Sequence, residues 1–315
     1  MKKRTLFWKS ECKRIVFKIT GKTCDYKNLS LKIGTRSMLS PEETNEKIRQ
    51  AILDGIPFFA GRFGGFELST VVQHLEGRVK YPSHLSECLV NNAGLFNASK
   101  EVIEDFAELY LDSAEELDLI GRHWNGMEDY VIESYAAGAA ITKLFWIEPW
   151  SAPKNPWSAA LKGKKVLVIH PFTETIKAQY KIREELFPGT DILPVFELKT
   201  LKAVQTIAGE KDDRFETWFD ALEWMYQEAM KIDFDVAIIG CGAYGFPLAA
   251  KLKKAGKQAI HLGGATQLLF GIKGKRWDTA PAFEYVRKWY NDAWVYPSEA
   301  DKPKQAKRVE DGCYW

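Results

Sequence analysis

The stretch DVAIIGCGAYGFPLAAKLKKAGKQAIHLGG, residues 235–264, contains the pattern that decides the fold. After Asp235, residues 236–240 are apolar and rich in Val and Ile, which predicts a buried strand. The glycines of GCGAYG predict a turn, the residues from there to Ala255 predict a helix, and QAIH predicts a second strand. Strand, helix and strand in this order predict two parallel strands with the helix packed against the sheet.

The same alternation is found upstream. KKVLVIH (164–170) predicts a buried strand, and 173–186 predicts a helix with Thr173 as its cap. The segment 56–75 predicts a strand, a glycine turn and a helix, while Ser40 and the proline after it predict a capped helix start. The fold class expected from this pattern is α/β, a Rossmann-like, mostly parallel sheet with helices on both faces.

Three further segments complete the expected pattern. KLFWIE (143–148) is predicted to be extended. ILPVFEL (192–198) is predicted to be a strand, and its proline places it at an edge of the sheet. Residues 213–231 are predicted to form a long helix.

The charge distribution separates one end of the chain from the rest. Residues 1–22 contain eight Lys or Arg and one acid, so they carry +7, and the other residues carry −5 of the net +2. A near-neutral body excludes a general nucleic-acid binder. We predict a basic segment over 1–35, one domain over 36–295 and a polar tail over 296–315. Residues 1–22 fit an amphipathic helix on an anionic membrane, or else a solvated tail or the first helix of the fold.

The chain shows no apolar run long enough for a membrane span and no apolar core of a secretory signal. We therefore expect a cytoplasmic protein, with peripheral contact to the inner membrane surface through its basic segment. The five cysteines and five histidines follow no metal-ligand spacing, so a structural zinc site is not expected.

Four strands run directly into turns that suit a ligand. Three of these turns contain glycines, in FFAGRFGG (58–65), VAIIGCGAYG (236–245) and AIHLGG (259–264), and the fourth strand ends in HPFTE (170–174). The carboxyl ends of parallel strands meet at one edge of a sheet, where such folds bind ligands. Glycines there let backbone N–H groups approach a phosphate.

Side chains in these turns supply candidate chemistry. Arg62 can bond a phosphate or carboxylate, and Glu67 lies in the first turn of a helix. The alternative is that Glu67 only stabilises its own helix and Arg62 pairs with a surface acid. His170 and His261 each end a buried strand and can donate to a diphosphate or act as a base. Glu174 is a further candidate base, or a first-turn acid stabilised by the helix dipole.

GCGAYG matches the GxGxxG pattern of dinucleotide sites, which keeps an NAD- or S-adenosylmethionine-dependent enzyme open. The pattern follows a late strand, and the expected acid about 20 residues further on is missing from QAIHLGGAT. A phosphate-contacting loop remains the prediction for this turn. Its residues are Gly240, Gly242, Ala243, Tyr244 and Gly245.

A family resemblance rests on three of these runs: GRFGGFE (61–67), NPWSAALKGKKVLVIHPFTETIKAQY (155–180), and residues 235–277. Together they resemble the GT-D-type bacterial glycosyltransferases over residues 40–290. The resemblance implies a Rossmann-like domain that uses a nucleotide-sugar donor, typically UDP-linked. It also implies a glycan or lipid-linked acceptor in surface polysaccharide or glycoprotein synthesis.

That family has a D-x-E signature associated with donor and metal, and here the triplet is Gly65–Phe66–Glu67. The resemblance therefore implies a catalytic or donor-site role for Glu67, which is also the one candidate ligand for Mn²⁺ or Mg²⁺. One carboxylate is a poor site for either ion unless the diphosphate supplies other ligands. The missing acid keeps a non-catalytic nucleotide-sugar binder open. The donor-binding residues expected are Arg62, Gly64, Gly65, His261, Gly263, Gly264 and the 240–245 turn, with His170 and Glu174 as second candidates for the base.

Overall fold

The computed structural model describes residues 31–77, 83–123, 127–303 and 312–315. The amphipathic helix predicted over residues 1–22 lies outside these residues. Within them, no helix is both long and apolar enough to cross a membrane.

The described residues form nine β-strands, of which seven build one sheet. A small antiparallel pair, β1 and β2, precedes it. The strands are β1 (Lys32–Ile33), β2 (Arg36–Ser37), β3 (Phe58–Gly61), β4 (Leu119–Arg122), β5 (Ala140–Lys143), β6 (Lys165–His170), β7 (Glu197–Lys202), β8 (Val236–Ile239) and β9 (Gln258–His261). The sheet has the order β5-β4-β3-β9-β8-β6-β7, and every neighbouring pair is parallel. The predicted parallel α/β class is confirmed.

Twelve α-helices connect these strands within the described residues. They are α1 (Pro41–Asp54), α2 (Gly65–Leu75), α3 (Ser83–Cys88), α4 (Lys100–Glu115), α5 (Glu128–Tyr135), α6 (Thr173–Lys181), α7 (Arg183–Leu186), α8 (Trp218–Met230), α9 (Gly245–Lys254), α10 (Ala265–Leu269), α11 (Lys275–Thr279) and α12 (Glu284–Arg287). Helix α1 begins as predicted: the Ser40 hydroxyl accepts from the Glu43 N–H, and the Glu43 carboxylate accepts from the Ser40 N–H. This reciprocal cap satisfies two N–H groups that the helix itself leaves without partners.

The sheet separates two apolar cores. Along β6, Leu167 and Ile169 belong to the core that also contains residues of α2, α4, α8 and α9. Val166 and Val168 belong to the core that contains residues of α1, α6 and α10. Because both faces of the strand are buried, its sequence is apolar at consecutive positions rather than alternating.

Several local predictions are wrong in position. Helix α8 begins at Trp218, five residues after the predicted start at 213, and the helix predicted over 173–186 is divided into α6 and α7. The segment predicted to be extended over 143–148 is a 3₁₀ turn from Leu144 to Ile147, because the strand lies earlier, at β5. Strand β7 begins at Glu197, about five residues later than predicted, although it does lie at the sheet edge. Thr173 is the first helical residue of α6 rather than its cap.

The end of the chain packs against the domain. Asp301 and Cys313 are buried, and the backbone N–H of Arg276 donates to the Cys313 carbonyl at 2.9 Å. The described residues of the segment 296–315 therefore differ from the separate polar tail that their composition predicts.

Candidate functional site

A cavity of about 640 Å³ opens at the carboxyl ends of the central strands. Residues that directly follow or end β3, β6, β8 and β9 line it, among them Arg62, His170, Gly240 and His261. This is the edge that the sequence predicts, because parallel strands place all their carboxyl ends on the same side.

Most of the predicted site residues line this cavity. Those that do are Arg62, Gly64, Gly65, Glu67, His170, Gly240, Gly242, Tyr244, His261, Gly263 and Gly264. Ala243 and Gly245 are buried next to it without lining it.

Glu174 does not reach the cavity. It lies in the first turn of α6 with its side chain exposed, and its carboxylate pairs with Lys177 at 2.8 Å. The hydrogen bond from Lys177 lowers the pKa of the Glu174 carboxyl. The structure therefore gives Glu174 the position of a surface helix acid, the alternative that the sequence leaves open, because the helix turns this residue away from the sheet edge.

Arg62 follows β3 and extends along the turn after β9. A Cβ atom added at Gly263 would lie 3.4 Å from the Arg62 Nε and Cζ atoms. Gly263 has a φ of +61°, a conformation that glycine adopts without strain. The buried Nε of Arg62 has no hydrogen-bond partner among the described residues. A buried N–H of a cation without a partner is costly, which makes it a candidate contact for an anionic ligand.

His261 ends β9 beside Arg62. Burial, and then the positive charge of Arg62, lower the pKa of His261 to about 3, so the ring is neutral near pH 7. Gly245 makes room for it, because a Cβ there would lie 2.7 Å from the ring Nε2. The Nδ1 atom is buried and has no partner within the described chain. His261 therefore offers a neutral ring, not a cation, to a ligand.

His170 ends β6 and is also neutral, since burial lowers its pKa to about 3. Its Nδ1 accepts from the backbone N–H of Phe172 at 3.0 Å. A neutral imidazole that accepts at Nδ1 carries its hydrogen on Nε2. The geometry thus favours hydrogen-bond donation by His170 over proton abstraction, the two roles that its position at a strand end leaves open.

Glu67 lies in the first turn of α2, as predicted. Its carboxylate folds back against Gly64, at the position that a Cβ of that residue would occupy. The backbone N–H of Gly64 donates to the Tyr110 hydroxyl at 2.8 Å. Gly64 is therefore needed for close approach. The carboxylate lies at the N-terminus of its own helix, as the alternative interpretation expects, and also at the wall of the cavity.

The turns after β8 and β9 touch each other. A Cβ on Gly240 would lie 2.5 Å from the Gly263 carbonyl oxygen and 2.6 Å from the Thr266 hydroxyl. Gly242 has a φ of +59°. Any side chain at Gly240 would push the two turns apart. The glycine therefore lets backbone groups of both turns lie at the centre of the cavity.

Glu148 is a cavity residue that the motifs do not identify. It is buried, and one carboxylate oxygen accepts from the Tyr285 hydroxyl at 2.8 Å. Burial raises the pKa of Glu148 to about 8, and the Tyr285 hydrogen bond and the charge of Arg62 oppose that shift. Glu148 is therefore mostly protonated at neutral pH. The available signal was its position as a lone acid in the most apolar stretch of the chain.

Aromatic side chains form another part of the lining, and sequence reasoning missed most of them. They are Phe66, Phe145, Phe172, Tyr244, Trp277, Phe283, Tyr314 and Trp315. Trp150 and Trp157, which lie in the Trp-rich stretch of the sequence, are instead packed in the core.

The described residues contain no group of three or more His, Cys, Asp or Glu side chains placed to hold a metal ion. Glu67 is the predicted metal ligand, and Gly65 occupies the place of a second acid in the D-x-E signature. These residues do not fit a metal held by protein ligands alone, because Mg²⁺ and Mn²⁺ require several oxygen ligands.

Neither a family model nor a curated protein matches the chain. The fold is similar to a solved structure described as "The highly conserved domain of unknown function 1792 has a distinct glycosyltransferase fold". The identity is 13%, the TM-score is 0.43, and the match covers 89% of this chain and 91% of the other. A likeness at this level assigns no activity, so the function is argued from the site.

Proposed function

We propose that this protein is a glycosyltransferase that moves a sugar from a nucleotide-sugar donor, UDP-linked, to a glycan or lipid-linked acceptor. The observation that carries the proposal is the Arg62 guanidinium, whose buried Nε lacks a protein partner in the described chain and lies beside the Gly263 turn. The sequence resemblance to the GT-D-type enzymes supports it, because its motifs coincide with the cavity lining.

The polar groups suit a leaving diphosphate. As the bond between the sugar C1 and the diphosphate oxygen breaks, negative charge develops on that oxygen. Arg62 supplies a positive charge, His170 supplies an Nε2–H, and the turns at Gly240 and Gly263 allow the close approach of backbone groups. Groups fixed in a cavity stabilise such charge without reorganising. Stabilisation of this kind is usually the largest single contribution to enzymatic rate enhancement.

Glu67 is the proposed base. The acceptor hydroxyl oxygen forms the new bond to C1, and its proton passes to the Glu67 carboxylate. Glu174 lies on the surface outside the cavity, so it cannot take this proton. The His170 Nε2 atom carries a hydrogen and has no lone pair to accept the proton. Among the carboxyl groups of the cavity, Glu148 is mostly protonated at neutral pH.

The basic segment 1–22 extends the proposal to location. Eight Lys or Arg residues near the cytoplasmic face of a membrane would bring the enzyme to a lipid-linked acceptor, at about 1 kcal/mol per basic residue. Surface polysaccharide or glycoprotein synthesis is the process this acceptor class suggests.

A thermal-shift screen against UDP, GDP, CMP, NAD and S-adenosylmethionine, each with and without Mn²⁺, tests the ligand. A ligand at a hundredfold its dissociation constant adds about 2.7 kcal/mol. We expect stabilisation by UDP. Stabilisation by NAD or S-adenosylmethionine alone would contradict the proposal and favour the dinucleotide interpretation of GCGAYG.

Arg62→Ala tests the observation itself. Loss of a charge-assisted hydrogen bond weakens UDP binding by about 10- to 150-fold. Arg49→Ala is the matched control, because Arg49 lies on α1 and pairs only with Glu46 among the described residues. Equal affinities for the two variants would remove Arg62 from the site.

The lack of an acid at Gly65 favours one other candidate, a nucleotide-sugar binder without activity. It predicts UDP-sugar binding without transfer or slow hydrolysis. Release of UDP from a panel of UDP-sugars, measured by chromatography, separates the two candidates.

A further inference from the structure

The chain segment Gly312–Trp315 is held against the cavity by hydrogen bonds from α10 and α11. The backbone N–H of Arg276 donates to the Cys313 carbonyl at 2.9 Å, and Gln267 Nε2 donates to the Tyr314 carbonyl at 3.2 Å. Arg276 Nη1 also donates to the Tyr314 hydroxyl at 3.1 Å. Two backbone carbonyls and one side chain are thus fixed, so the position of this segment is specific.

Two rings of this segment line the cavity. The Tyr314 ring centroid lies 5.9 Å from that of Trp277 and 5.9 Å from that of Trp315, while Trp315 lies 6.0 Å from Phe172. Trp277 is buried, whereas Tyr314 and Trp315 are only partly buried. The arrangement forms an aromatic wall, defined as Trp277, Tyr314 and Trp315, whose two outer members keep surface for a ligand.

The wall adjoins the cation of the site. Gly263 approaches the Arg62 guanidinium, and the next residue, Gly264, approaches the Tyr314 ring, where an added Cβ would lie 2.9 Å from Cε1. Consecutive Cα atoms are about 3.8 Å apart. An anion at Arg62 and a planar group on the wall would therefore be neighbours. The phosphates and the base of a nucleotide are neighbours in the same way, because a single ribose connects them.

The indole N–H of Trp315 adds a polar signal. It is buried and has no hydrogen-bond partner among the described residues. A buried donor without a partner costs free energy that a ligand acceptor can recover. Pyrimidine bases combine a planar face with carbonyl oxygens. The face can stack on a ring of this wall, and a carbonyl oxygen can serve as the missing hydrogen-bond acceptor.

We propose that Tyr314 and Trp315 form the nucleobase subsite, with the base of the donor stacked on the Tyr314 ring and its carbonyl accepting from the Trp315 indole, whose plane lies at 89° to that ring. This inference rests on the proposed function, since it names the part of the donor that the wall binds. It makes the last residues of the segment a determinant of donor specificity.

Calorimetric titration of the full chain with UDP and with inorganic pyrophosphate tests the subsite. Trp315→Ala is expected to weaken UDP binding by about 2- to 13-fold, the range for one hydrogen bond, and Tyr314→Leu by about 5- to 150-fold, the range for one base–aromatic stack. Both variants should leave pyrophosphate binding within about twofold. Arg62→Ala is expected to weaken both ligands. Tyr296→Ala is the matched control, because Tyr296 is exposed and bonded to Asp278 outside the cavity.

Trp315→Phe and Tyr314→Leu keep the test decisive if Trp315→Ala does not fold. The phenylalanine variant keeps a ring beside Tyr314 and loses the N–H, so its affinity for UDP should fall to about that of the alanine variant. Equal UDP affinity in the wild type and all wall variants would overturn the inference and leave the proposed function standing. Equal weakening of UDP and pyrophosphate would also overturn it. Failure of the wild type to bind UDP would overturn both proposals.

Discussion

The cavity has two sides that differ in what fixes them. The polar floor, defined as Arg62, Glu67, His170, His261 and the turns at Gly240 and Gly263, follows the carboxyl ends of β3, β6, β8 and β9 or begins the next helix. The aromatic wall of Trp277, Tyr314 and Trp315 comes from a short helix and the end of the chain. An added Cβ meets a backbone oxygen at Gly240 but a ring carbon at Gly264.

Because of this difference, we expect the floor and the wall to differ in how far they can move when a ligand binds. The floor turns are tied to the neighbouring strands, because the Gly240 N–H donates to the Ile169 carbonyl at 3.0 Å and the Gly263 N–H donates to the Ile239 carbonyl at 3.2 Å, so the floor is rigid. The wall presents side-chain rings, and those of Tyr314 and Trp315 are only partly buried, so they can shift by a few tenths of an ångström and adapt to a ligand. The floor is therefore suited to the invariant diphosphate, and the wall to the part of the donor that varies.

The largest effect is expected on the floor. Glu67→Gln keeps the size of the side chain and removes the base, so transfer should fall by about 10²–10⁴-fold. The measurement is UDP release with donor and acceptor present, with thermal unfolding to show that the variant folds. Glu42→Gln is the control, since Glu42 is a first-turn glutamate as well, on α1, and its side chain is exposed. Full activity in Glu67→Gln would end the catalytic assignment.

The rigidity of the floor can be measured through Gly240→Ala. The new methyl would meet the Gly263 carbonyl oxygen at 2.5 Å, so the free energy of unfolding should fall by about 1–3 kcal/mol. Urea titration measures this. Gly138→Ala is the matched control, because no described atom lies within 4 Å of its added Cβ and its φ is not positive. A loss no greater than that of the control would mean that the turns can separate.

Glu148 makes the stability of this region depend on pH. Its pKa is about 8 when folded and near 4.5 when unfolded, so the folded state binds more protons between these values. The free energy of unfolding therefore falls as pH rises through this window, by up to about 1.4 kcal/mol per pH unit. His170 and His261, with pKa values of about 3, oppose this trend only below about pH 6.5.

Glu148→Gln isolates this contribution between pH 6.5 and 8. Across that interval the wild type should lose about 2 kcal/mol more unfolding free energy than the variant. Urea titrations at pH 6.5, 7.2 and 8.0 measure the difference. Parallel curves would show that Glu148 is not protonated in the folded protein, and the cavity would then contain a buried carboxylate in addition to the partly buried one of Glu67.

The floor could be predicted from the sequence, and the wall could not. Glycine turns after apolar runs indicate strand ends, and parallel topology brings these ends together, so Arg62 and His261 follow from local pattern. Tyr314 and Trp315 end a polar stretch, and their contacts are with Phe172, Gly264, α10 and α11, tens of residues away. Glu148 could be predicted only in part. An acid in an apolar stretch can be noticed in the sequence, but its place in the cavity depends on where β5 ends.

The smallest effect is expected where the wall meets the floor. Gly264→Ala adds a methyl 2.9 Å from Tyr314 Cε1 and 3.3 Å from Trp277 Cζ2, at a helical φ of −59° that alanine accepts. The Tyr314 ring can shift, so unfolding free energy should change by less than about 1 kcal/mol in urea titration. Gly240→Ala, measured beside it, should cost more, because its neighbour is backbone. If the two substitutions destabilise the protein equally, the aromatic wall is as rigid as the floor, and a ligand would have to fit a fixed shape on both sides.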